Sequence, residues 1–218
     1  MRFQDRNDAG KKLGNKLKNI KEIREKQQDL IVLSLVRGGA PVGYEVAKIL
    51  QAPHYPLIVK KIGAPHREEL AIGAVCDEEV FLNNSLINQA GYSEDEVEIQ
   101  IEKARYQELH YKRRFKIVLP QLQGKIVIVV DDGVATGASV YVACKCISSK
   151  NTKRIYLAVP VAPIDFRIGN GSMFNSGNKC FDKIIIFHED PYFNAVGQYY
   201  SRFEQINDSK ALSFYKMN

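Results

Sequence analysis

The chain reads as an α/β protein built on an open, parallel, twisted sheet flanked by helices, because three features of its 218 residues agree. Short aliphatic runs recur without the in–out alternation of a half-exposed strand: Leu30–Val36, Gly124–Val130, Ile155–Val161 and Ile184–Phe187. Strands buried on both faces have this composition, and such burial is typical of parallel sheets. Between the runs lie stretches with apolar residues at helical spacing, so strand and helix alternate as crossover connections require. Two runs end in polar, glycine-containing turns, Arg37-Gly38-Gly39 and Asp131-Asp132-Gly133, at the sheet edge where open α/β sheets bind ligands.

Each element has a local warrant. Asp5 or Asp8 can cap a first helix, in which Ala9, Leu13, Leu17 and Ile20 form one apolar stripe with lysines opposite. After the first strand, Pro41 sits where an opening helical turn accepts a residue without an N–H, and Val42, Val46, Ile49 and Leu50 carry the stripe of that helix. Leu57–Lys61 is the expected second strand. Leu70–Val75 and Val80–Asn83 predict a hairpin projecting from the sheet. Ser93 and Glu96 form a capping box that opens a long helix running to about Phe115. Hairpin and long helix together make an insertion of about residues 63–120 within one domain spanning 1–218. Arg167–Lys179 stands where a crossover helix belongs, yet it holds three glycines and three asparagines, so a loop is expected.

Composition narrows the function classes. With 45% hydrophobic and 26% charged residues the chain has the material for a real core. Its longest purely aliphatic run is five residues, Ile126–Val130, far short of the ~20 needed to span a bilayer, and its polar N-terminal stretch has no apolar signal region. No membrane association is expected. Cys76, Cys144, Cys146 and Cys180 do not make a disulfide framework, and Cys144 and Cys146, two apart on a helix, point away from each other. They are expected to be packing residues in a cytoplasmic protein. The net charge of +6 suggests anionic partners. The basic stretches Lys11–Lys26 and Lys112–Arg114 read as solvated helix faces, and no finger, helix-turn-helix or aromatic–basic pattern points to nucleic acid. The four histidines show no ligand spacing.

Ile126–Ser139, IVIVVDDGVATGAS, is the most informative stretch. A buried strand delivers Asp131 and Asp132 to its C-terminal end, and a loop of glycines, small residues and hydroxyls leads into the next helix. The N–H groups and positive dipole end of that helix favour an anion. Gly133 and Gly137 permit the close approach and positive φ that a phosphate cradle needs, and Thr136 and Ser139 add hydroxyl donors. A phosphate beside two carboxylates suits a phosphorylated sugar, whose vicinal hydroxyls can donate to the carboxylates.

This string resembles the phosphoribosyl-pyrophosphate (PRPP) motif of type I phosphoribosyltransferases: a hydrophobic strand, two acidic residues, then a small residue, Thr-Gly and a hydroxyl residue. Leu33–Leu50 resembles the first strand, pyrophosphate loop and following helix of that family, and Pro56–Pro65 the second strand and its basic exit. Glu69–Val75 and His188–Ala211 resemble a phosphoribosyltransferase-like subgroup, so the likeness covers most of the chain. It implies that Asp131 and Asp132 are the catalytic pair, holding the ribose hydroxyls and, through water, Mg²⁺ bound with PRPP. It implies 5′-phosphate binding by Gly133, Ala135, Thr136, Gly137, Ala138 and Ser139. Pyrophosphate falls to Arg37, Gly38, Gly39, Lys60 and Lys61.

The resemblance implies a transferase that moves the 5-phosphoribosyl group from PRPP to a small-molecule acceptor, a nucleobase being one candidate, and releases pyrophosphate. The alternative is a non-catalytic regulator that binds PRPP or a nucleotide. Enzymes for 6-oxopurines in this family carry an acidic residue where this chain has Ala135, which argues against a hypoxanthine–guanine acceptor. The acceptor-binding hood is sought in the insertion and in a C-terminal segment, where Tyr192 and Phe193 are candidates for stacking a planar acceptor. Members of the family are often homodimers, and nothing in the sequence fixes an interface.

Overall fold

The computed structural model describes residues 1–164, 166 and 180–215. Its main sheet consists of β1 (Leu30–Leu35), β2 (His54–Leu57), β6 (Ile126–Val130), β7 (Arg154–Pro163) and β8 (Lys183–Asp190). These five strands are parallel and run in the order β2-β1-β6-β7-β8. Every residue of β1 and β6 is buried, which is why both read as unbroken aliphatic runs. One face of the sheet packs against α1 (Arg6–Lys18) and α3 (Gly39–Leu50), with Leu13, Leu17, Val42 and Val46 meeting Val32 and Ile128. A single-turn α2 (Lys21–Glu25), anchored by buried Ile23, joins α1 to β1. The other face packs against α6 (Ala138–Ser148) through Val140, Ala143 and Ile147. Asp5 is the N-cap of α1 and accepts the Asp8 N–H at 3.0 Å, while Ile20 lies beyond the end of that helix.

The second strand lies earlier than the expected Leu57–Lys61, sharing only Leu57 with it, and the basic end belongs elsewhere. β2 stops at Leu57, the chain turns at Ile58 and Val59, and Lys60 and Lys61 open β3 (Lys60–Ala64) of a separate antiparallel sheet. β2 is an edge strand paired with β1 alone among the described residues, which accommodates Pro56 and leaves nothing to extend its ladder. The expected hairpin is therefore part of a three-stranded sheet, with β4 (Arg67–Cys76) between β3 and β5 (Glu79–Leu82). A short α4 (Asn84–Ala90) leads to the long α5 (Glu94–Arg114), which opens with the Ser93–Glu96 capping box. Val97, Ile101 and Ala104 of α5 pack on Ile62, Ile72 and Val75, giving this hood a core of its own. Glu108, 4% exposed, sits beneath it, accepting the Asp77 N–H at 2.9 Å and pairing with Lys112 at 2.6 Å.

The cysteine expectation holds in part. Cys76 and Cys146 are buried thiols, but Cys144 of α6 and Cys180 form a disulfide across 36 residues. The return of the chain towards β8 brings Cys180 over α6, with Cα atoms 6.0 Å apart, a proximity that sequence spacing does not reveal. This pairing removes the cysteine-based argument for a cytoplasmic location. Among the described residues no helix is long and apolar enough to cross a membrane. The loop expected at Arg167–Lys179 lies outside the described residues.

Candidate active site

Parallel pairing of β1 with β6 puts both strand ends at one rim, so the turn after Leu35 and the acidic pair after Val130 lie side by side. Contact there is close. A Cβ on Gly38 would sit 2.4 Å from Asp132 Oδ2, and one on Gly39 would sit 2.8 Å from the Val130 carbonyl oxygen. Only glycine lets the turn approach the carboxylates this closely. The Val36–Arg37 peptide is cis.

Asp131 Oδ1 accepts the Asp132 N–H at 2.9 Å. Burial, and then the charge of Asp132, push the Asp131 carboxyl well above the usual carboxylate range. Asp132 is raised too by burial, against the opposing pull of the Arg6 guanidinium. Arg6 Nε donates to Asp132 Oδ2 at 2.8 Å, in a pair whose side chains are 11% and 13% exposed. The same guanidinium lies 3.8 Å from the centroid of the Phe203 ring and donates from Nη1 to the Glu204 carbonyl at 2.8 Å. Tyr200 completes the clasp, its hydroxyl donating to the Asp132 carbonyl at 2.6 Å.

In the loop behind the pair the two glycines differ, since only Gly137 takes a positive φ. Gly133 is pressed against Val161 and Val196, where a Cβ would meet side-chain atoms at 2.7 Å, and Gly137 holds φ +86° as the N-cap of α6. No side chain among the described residues caps that helix, so its first N–H groups are left open to an outside acceptor. Ala135 and Thr136 differ from their neighbours in being exposed at the tip, Ser139 is half-buried, and Ala138 opens the helix beside it.

One cleft of about 550 Å³ is lined by Asp131, Asp132, Ser139, Arg37, Gly38, Lys60 and Lys61, while Gly39, Gly133, Ala135, Thr136, Gly137 and Ala138 are not among its lining residues. Lys60 and Lys61 reach it from the hood sheet, not from the end of β2. Lys60 is half-buried, its Nζ 4.5 Å from the centroid of the Tyr111 ring, and burial lowers its pKa against the opposing charge of Asp208. Arg37 sits 3.7 Å from Asp208 at the start of α7 (Asp208–Ser213). Phe203, Glu204 and Arg6 line the same cleft and are not singled out by the sequence.

The aromatic candidates are placed differently. Tyr192 is 82% exposed and lines neither this cleft nor its neighbour. Phe193 stacks on Tyr199, centroids 5.5 Å apart, and borders the neighbouring cleft of about 380 Å³ with Ala135, Ile164 and Asp190. Tyr199 and Tyr200 are core residues.

Residues 9–190 match the family model of the phosphoribosyl transferase domain. The chain belongs to the phosphoribosyl transferase family. Curated relatives from two strains of Mycobacterium tuberculosis, each provisionally named a phosphoribosyl transferase, are 33% identical over 216 residues, covering 97% of this chain. Those phosphoribosyl transferase relatives are longer: the match covers 46% of their length, so this chain spans about half of each. A solved structure, TT1426 from Thermus thermophilus, is 30% identical with a TM-score of 0.75, and the match covers 99% of this chain and 98% of that one. The five-stranded parallel sheet flanked by helices is thus the architecture of a phosphoribosyl transferase of type I, as the resemblance implied.

Proposed function

We propose that this chain transfers the 5-phosphoribosyl group of PRPP to a small-molecule acceptor and releases pyrophosphate. One observation carries the reading: the acidic pair, Ser139 in the first turn of the uncapped helix α6, and the cations Arg37, Lys60 and Lys61 line a single cleft. Each side of that cleft answers to a different part of the substrate. Asp131 and Asp132 accept hydrogen bonds from the two ribose hydroxyls. The N–H groups of Gly137, Ala138 and Ser139, with the Thr136 and Ser139 hydroxyls, hold the 5′-phosphate at the positive end of α6. Arg37, Lys60, Lys61 and the backbone of Gly38 and Gly39 face the pyrophosphate.

The barrier lies in breaking the bond between C1 and the pyrophosphate oxygen, which leaves positive charge on the sugar and extra negative charge on the leaving group. Fixed cations and N–H donors aimed at that group lower the barrier most, because they need no reorganisation as charge develops. Holding the sugar at both ends supplies the orientation. No protein side chain has to move a proton for the bond to break.

The donor set also fits a divalent ion brought by the substrate. Among the described residues no group of three His, Cys, Asp or Glu could hold a metal alone. Two adjacent carboxylates that repel each other, Asp131 above all, suit Mg²⁺, which takes few protein ligands and keeps waters and phosphate oxygens. Asp131 and Asp132 would hold the ion, which would offset charge on the pyrophosphate.

The test is pyrophosphate release from PRPP with Mg²⁺ across a panel of nucleobases and amines. Release that requires one acceptor class supports the transferase. PRPP protection against thermal unfolding, with no release for any acceptor, identifies a PRPP-binding regulator instead. Absence of both removes the sugar-phosphate assignment.

A further inference from the structure

We propose that the outer face of α5 is the seam of a two-fold dimer in which the helices of two copies of this chain pack antiparallel. The helix uses one face to cover the hood sheet, burying Val97, Ile101, Ala104, Glu108 and Tyr111. Diametrically opposite runs a second stripe: Asp95, Ile99, Glu102, Tyr106, Leu109 and Arg113, all exposed. Its steps of four and three residues are those of a helix–helix seam. Ile99 is 64% exposed, Tyr106 69% and Leu109 46%, so three large apolar side chains of one helix stand in water on a single line.

Charge chooses the occupant. The first turn of α5 carries Glu94, Asp95 and Glu96, and its last turn Lys112, Arg113 and Arg114. A parallel pairing sets acid on acid. An antiparallel one, with its two-fold axis at the height of Ala104, sets Asp95 against Arg113 of the second copy and Ile99 against Leu109 of the second copy. Glu102 then faces Tyr106 of the second copy, whose hydroxyl can donate to it. The stripe is its own complement, as an isologous interface must be. A 21-residue helix is about 30 Å long, so the contact is small beside a standard interface of roughly 1,600 Å². The dimer therefore forms in a concentration-dependent way.

Sedimentation or light scattering of the full chain against concentration tests the seam, with circular dichroism to show that each variant stays folded. The wild type is expected to shift from monomer to dimer as concentration rises. Asp95→Arg alone and Arg113→Asp alone are each expected to stay monomeric. Mixing those two variants in equal amounts should restore a heterodimer, because one of its two end contacts is then the native pairing of Arg113 with Asp95 and the other has the same opposite charges with their positions exchanged. Ile99→Glu should abolish association without touching the ends of the seam. A wild type that is monomeric throughout overturns the proposal, as does a dimer that neither charge reversal weakens. Loss of the dimer in both single variants without recovery on mixing overturns the antiparallel register.

Discussion

Arg6 and Asp132, 126 positions apart in the chain, meet at 2.8 Å in a pair almost closed off from water. Burial alone drives the Asp132 carboxyl towards its neutral form, and the guanidinium opposes that drive. Arg6 is held in turn by the Phe203 ring and the Glu204 carbonyl, so the C-terminal segment indirectly sets the charge of the acidic pair.

Arg6→Gln removes the opposing charge, and the Asp132 pKa rises further. Under the proposed function the ionised carboxylate is the form that accepts the ribose hydroxyls. The acid limb of the pH profile for PRPP binding should therefore move to higher pH in Arg6→Gln and return part of the way in Arg6→Lys. Calorimetric titration of PRPP at several pH values reads this directly. A uniform loss of affinity at every pH would give Arg6 a merely structural role.

Asp131→Asn separates stability from function. A carboxylate whose folded pKa lies above its unfolded value contributes stability at low pH that is lost as pH rises through the folded value, so the charged pair weakens the fold at neutral pH. Substitution should abolish PRPP binding while the melting temperature stays level or rises by about 2–4 °C per kcal/mol of relieved repulsion. A clear fall in melting temperature would show that the carboxylate is needed for the fold itself.

Gly38→Ala tests the close approach of the turn. Its Cβ would lie 2.4 Å from Asp132 Oδ2, so the carboxylate must swing away from Arg6 or the turn must retreat. PRPP affinity is expected to fall at least tenfold, about 1.4 kcal/mol, with a smaller change in the urea midpoint. Unchanged affinity would mean that the turn and the acidic pair move independently.

His54 should give the fold an acid-sensitive step. Burial depresses its pKa to about 4 from an ordinary 6.5, and its Nε2 lies 2.8 Å from the buried Ser34 hydroxyl. The unfolded chain binds the proton first, so the stabilising effect of neutral His54 is fully present above pH 6.5 and is lost as pH falls towards 4. The loss is about 3 kcal/mol at most. Urea midpoints between those pH values should fall in the wild type, and the slope should be shallower in His54→Gln. Equal slopes would assign the acid sensitivity to other groups.

What the sequence disclosed, and what it hid, follows from distance along the chain. β1 and β6 were legible because burial on both faces leaves an unbroken aliphatic signature. The loop from Gly133 to Ser139 was legible because tight turns and helix starts depend on local residue types. The break between β2 and β3 was not, since Leu57, Ile58 and Val59 are apolar on both sides of the change of sheet and no glycine marks it. Nothing local separates Arg6 from the other basic residues of the first thirty, and only the fold brings it to Asp132. The Cys144–Cys180 link is hidden for the same reason. Tyr200 and Phe203 lie just beyond the candidates Tyr192 and Phe193, and which of these rings face the core and which face the cleft depends on packing.

The clasp around Asp132 also has a consequence for synthesis on the ribosome. Arg6 needs a partner 126 residues later and another 198 residues later, so the parallel sheet can be complete while the rim still lacks its last two supports. Contacts of such long separation form late. A nascent chain that has not yet released Tyr200 to Glu204 carries its twin carboxylates unbraced, and under the proposed function substrate capture has to wait for that segment.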